Sequence, residues 1–144
     1  MEELYLKLIE LLKQIPELKY IDLDTGQLMA EKPPVSYPAA LIEIDLTQAE
    51  DMGGKVQVCT ANFAVRLVAK ALHETNANAP SAVIKNSLDW LRLQNEVYKK
   101  LQGYGNKQFY PFSRKSGKNE FNRIGLKTFV LRFETSFRDY TASS

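Results

Sequence analysis

The stretch Lys55 to Leu72, KVQVCTANFAVRLVAKAL, limits what the chain can fold into more than any other. Val56 and Val58 share one parity, and Phe63, Val65, Leu67 and Ala69 share the other. A period of two marks a β-strand with one face buried. So long a strand needs partners along its edges for its backbone polar groups, and a layer to cover its apolar face. The parity changes near Thr60-Ala61-Asn62. A β-bulge or bend there is expected to return both halves to one core.

Three other segments offer partners. AALIEIDL, Ala39 to Leu46, alternates as a half-buried strand. GLKTFVLRFETSFRD places Phe129, Leu131, Phe133 and Phe137 on one face of a long final strand. KYIDLDTGQL reads as a short edge strand ending in a turn at Asp24-Thr25-Gly26. QFYPFS reads as a further strand, placed at an edge by its proline.

Two segments carry helical spacing. From Glu2 to Ile15, Leu4, Leu8, Leu11, Leu12 and Ile15 form one stripe, which Pro16 stops. A second helix is expected from Pro80 to about Gln102, with Gly103 as its stop. Leu8, Leu12, Leu67, Leu88, Leu91, Phe129 and Leu131 are expected to share one core. The predicted class is α+β: a mainly antiparallel or mixed β-sheet with two α-helices packed on one face. Residues 1–140 form a single domain in this reading, and 141–144 a frayed tail.

No apolar run approaches the roughly 18 residues of a membrane span, and the N-terminus lacks the pattern of a signal peptide. One cysteine, Cys59, cannot form an internal disulfide, which suits a reducing compartment such as the cytoplasm. Charge is unevenly spread. Residues 1–52 hold four Lys against eleven Asp and Glu; residues 107–144 hold eight Lys and Arg against three acids. Such asymmetry either cancels within one fold or steers partners and identical copies.

No catalytic or metal-binding constellation is legible. His73 has no Cys or His at ligand spacing. Cys59 reads as a small buried hydrophobe, and Glu43 with Asp45 as solvent-facing acids on one strand face. Gly103 and Gly105 lack the context of a phosphate-binding loop, and Trp90 lies in an apolar helical stripe. One segment remains, SRKSGKNEFNRIG, Ser113 to Gly125. Arg114, Lys115, Lys118 and Arg123 are its cations. It reads as a hairpin tip turned by Gly117, mobile over Ser113–Asn122 until assembly orders it, or as a nucleic-acid hook using Phe109, Tyr110, Phe112 and Phe121 for stacking.

In order and character the elements resemble the tail-terminator (tail-completion) proteins of long-tailed bacteriophages. The resemblance spans nearly the whole chain: the helix LYLKLIELLKQI, the proline-led strand YPAALIEID, the long strand ANFAVRLVAKA, a helix closing in VYKKLQG, a polar hairpin and a last strand ending FETSFRD. It implies a non-enzymatic structural protein with no cofactor and no metal. Such proteins form a ring, commonly hexameric, that caps the tail tube and meets the head connector, with DNA passing through. It also implies a chain made in the bacterial cytoplasm and carried into the virion tail, with no membrane partner. Arg114, Lys115, Lys118 and Arg123 would then face a neighbour's acidic patch or the channel. A nucleic-acid-binding module using residues 113–125 is the alternative.

Overall fold

The computed structural model describes residues 1–71, 80–121 and 125–143. Helix α1 spans Glu2–Leu12 and α2 spans Pro80–Leu101. The strands are β1 (Tyr20–Leu23), β2 (Ala39–Gly53), β3 (Val56–Lys70), β4 (Ser113–Glu120) and β5 (Leu126–Asp139). They form one sheet in the order β1-β2-β3-β5-β4. β1 runs parallel to β2 and every other pair is antiparallel, so the sheet is mixed and the class is α+β. Single 3-10 turns lie at Gln27–Met29 and Thr141–Ser143.

Both helices cover the same sheet face. Leu4, Leu8, Leu11 and Leu12 of α1 and Leu93, Val97 and Leu101 of α2 join Ala40, Ile42, Phe63, Val65, Leu67, Leu131 and Phe133 in one buried cluster. The α-helix ends at Leu12, short of the expected Ile15. Its last turn tightens into bonds from Gln14 N–H to Leu11 O and Ile15 N–H to Leu12 O before Pro16 ends it.

β3 keeps one phase throughout. Cys59, Ala61, Phe63, Val65 and Leu67 all join the helix-side cluster, and Val56 and Val58 lie on the other face. The expected irregularity is in the partner strand: Leu46 pairs with Ala61 and Gln48 with Thr60, leaving Thr47 as the extra residue of β2. QFYPFS forms no strand of its own: Phe109 makes a lone bridge with Phe137, and only Ser113 belongs to a strand, as the first residue of β4. Phe109 and Phe112 both enter the core, and strand alternation cannot place residues three apart on one face. Phe112 packs edge-on to Phe63 at 4.9 Å, and Phe63 stacks on Phe133 at 5.2 Å.

The second sheet face is only partly covered. Beside Ala39, Leu41 and Val68 it is covered by Tyr20 of β1, by Leu28, Val35 and Tyr37 of the connection between β1 and β2, and by Leu126 of β5. β2 and β3 then continue to a turn at Gly54 and Lys55, with φ of 61° and 65°. Two residues at positive φ are what a tight two-residue hairpin requires.

Candidate interaction surface

Residues 113–120 of the predicted site segment form a strand, and over them the hairpin-tip reading is corrected; Asn122, at the end of the range read as mobile, lies outside the described residues. Residues 113–120 are polar with no apolar alternation, yet they pair along β5 from Ser113 opposite Glu134 to Glu120 opposite Thr128. Gly117 has no positive φ and turns no hairpin. A Cβ on it would meet the Phe129 ring at 2.9 Å, so glycine is there for close approach. Arg123 lies outside the described residues, as does His73.

β4 is an edge, and it holds three of the four predicted cations in different ways. The Arg114 guanidinium stacks over Tyr98 of α2 at 3.9 Å, and its backbone N–H donates to Gln102 Oε1 at 2.8 Å. Lys115 is the extra residue of a bulge, between Arg114 opposite Phe133 and Ser116 opposite Arg132. Lys118 pairs opposite Val130, away from the helices. Lys115 and Lys118 are exposed.

The other end of the sheet has a second open edge. β1 pairs with β2 only over Ala39–Ile42, and Asp24 N–H adds one bond to Ile42 O. Among the described residues, no strand pairs with Glu43–Gly53 on that side. This stretch carries Glu43, Asp45, Glu50 and Asp51 and no cation, and its Leu46 and Met52 are exposed.

An ion cluster that sequence reasoning missed sits on the second sheet face, away from the helices, with the Arg66 and Asp24 side chains only 12% and 13% exposed. Arg66 donates to both carboxylate oxygens of Glu120, at 2.9 and 3.2 Å, pairs with Asp24, and lies 3.5 Å from Glu43. Burial pulls the guanidinium pKa down, but the Glu120 hydrogen bond and the charges of Glu120, Glu43 and Asp24 raise it further, so the net shift is upward. The cluster ties β2, β3, β4 and the residue that follows β1 across the sheet. One cation inside the apolar run AVRLV was its only sequence signal. Glu43 is thus a counter-ion, and Asp45 beside it faces solvent. Cys59 is buried as expected, and burial pushes its thiol pKa up. Among the described residues, no group of three His, Cys, Asp or Glu could hold a metal ion, and no helix is long and apolar enough to cross a membrane.

α2 departs from the predicted core. Leu88 and Leu91 are 41% and 52% exposed, and Val83 and Ile84 are exposed with them. Leu93, Val97 and Leu101 are the residues that reach the sheet. The uncovered residues lie at helical spacing, one stripe along the first half of α2. On a different face of α2, a groove of about 590 Å³ is lined by Tyr37, Trp90, Leu93 and Lys127 among others.

No family model matches the chain, and no curated protein does. Among solved structures, a chain from the virion of a native gene transfer agent particle superposes with a TM-score of 0.47 at 14% identity, over 92% of this chain and 84% of that one.

Proposed function

We propose that this chain is a non-enzymatic structural protein of a long-tailed phage or prophage, and that it caps the tail tube as a homo-oligomeric ring and joins it to the head connector. The observation that carries this is the apolar stripe Val83, Ile84, Leu88 and Leu91, left uncovered on α2. A contiguous exposed apolar patch marks a protein contact. The resemblance in element order, from the proline-led strand to the final strand ending FETSFRD, supplies the kind of assembly. Deleting the gene from a phage or prophage that carries it is the test, read by electron microscopy of the particles. Tails of irregular length without joined heads are expected. Normal tails bearing heads would defeat the reading.

A second reading, nucleic-acid binding through residues 113–125, is favoured by Phe121, 87% exposed at the end of the strand that carries Lys115 and Lys118. Exposed aromatics beside cations suit base stacking on a phosphate-neutralising surface. Its signature is DNA affinity that falls steeply with salt and falls again in Phe121→Ala.

A further inference from the structure

Among the described residues, two strand edges of one sheet stand open, and they carry opposite charge. The β2 edge over Glu43–Gly53 has four acids and no cation. The β4 edge over Ser113–Glu120 has Arg114, Lys115 and Lys118 against Glu120, and Glu120 faces inward to Arg66. We infer that the β4 edge of one copy pairs with the β2 edge of the next, joining copies of this chain head to tail into one continuous sheet. This rests on the reading that the chain assembles with itself.

Strand direction fits. β4 runs antiparallel to β5, β5 to β3 and β3 to β2, so β4 and β2 are antiparallel within one sheet. A neighbour placed in the same sense therefore meets β4 through an antiparallel ladder. Its backbone groups would satisfy the open N–H and C=O groups of both edges, beyond Arg114, whose N–H already donates to Gln102.

Charge on an edge normally guards it against indiscriminate pairing. Opposite signs on the two edges go further, because each edge repels its own kind and matches the other. A symmetric dimer through either edge alone is thereby disfavoured, and the heterologous contact that builds rings or filaments is favoured. Apolar anchors are also present, in Leu46 and Met52 exposed on the acidic stretch.

The register adds a geometric consequence. Gly117 is level with Ile42, through Leu131 and Val65, whereas Gln48 marks the middle of the open β2 stretch. Joining the two edges shifts each copy along the strand direction relative to the last. That stagger is what a sheet needs to close into a tilted cylinder.

The test is a charge swap followed by sedimentation of purified protein. Glu50→Lys with Asp51→Lys sets two lysines on the β2 edge and cancels its net negative charge against Glu43 and Asp45, and Lys115→Glu with Lys118→Glu turns the β4 edge acidic. Each variant alone is expected to weaken self-association by more than about tenfold, since like charges then oppose across the joint. An equimolar mixture of the two, or all four substitutions in one chain, is expected to restore it. Restoration also shows that the variants fold. Association that survives in both single-edge variants overturns the edge pairing while leaving a ring built on other surfaces. Association not restored by the mixture or the fourfold variant overturns it too. So does wild type that stays monomeric up to about 1 mM. The tail-cap reading is decided separately, by the particles of the gene deletion.

Discussion

The two halves of α2 differ in a way that their sequences conceal. Both have apolar residues at helical spacing. In the second half, Leu93, Val97 and Leu101 seat on the sheet beside α1; in the first, Val83, Ile84, Leu88 and Leu91 face outward. An apolar stripe states which face of a helix avoids water. It does not state whether the covering surface belongs to the same chain. The second half is built for folding, and the first is left for something else.

Mutations across the junction sharpen that contrast. Leu101→Ala should cost about 2–5 kcal/mol in chemical denaturation, because a fully buried leucine leaves a cavity behind. Leu93→Ala, at the margin of the core, should fall near the low end, about 2 kcal/mol, in the same experiment. Leu91→Ala and Leu88→Glu should each stay within about 0.5 kcal/mol of wild type, while Leu88→Glu abolishes incorporation into particles. A multi-kcal/mol loss at Leu91 would erase the distinction between the halves.

The smallest expected effect is a pH dependence at the junction itself. Lys127 sits over the Trp90 ring at 5.1 Å, and burial lowers its pKa below the ordinary 10.5, with Asp89 opposing. The folded chain therefore releases this proton before the unfolded chain does. The cost of burying the cation is present at neutral pH and is relieved as pH rises toward 10.5, so stability should climb across that interval. Lys127→Met should flatten the climb in denaturation curves taken across the same interval.

What was legible in the sequence were the elements that pattern themselves locally. The alternation of β2, β3 and β5 marks them as strands, and the leucines of α1 fix both the helix and its buried face. β4 was not legible as a strand, because SRKSGKNE buries almost nothing and is held by its pairing with β5. Tertiary pairing outweighs a weak local preference at such an edge. The Arg66 cluster gathers Asp24, Glu43 and Glu120 from three other parts of the chain, and no spacing rule foretells that meeting. Of the candidate site, the cations were found by composition. Their placement along an edge came from the fold.

The close approach at Gly117 bears on how this chain could change over evolutionary time. Its neighbours Lys115 and Lys118 are exposed, and their side chains can be exchanged at little cost to the fold. At Gly117 a side chain needs the Phe129 ring, packed against the core, to shift as well, so exchange there costs more. Divergent relatives should therefore vary in charge along this strand while retaining one glycine opposite an aromatic. A glycine–phenylalanine pairing, rather than a basic cluster, is the signature by which distant members of the lineage would be recognised.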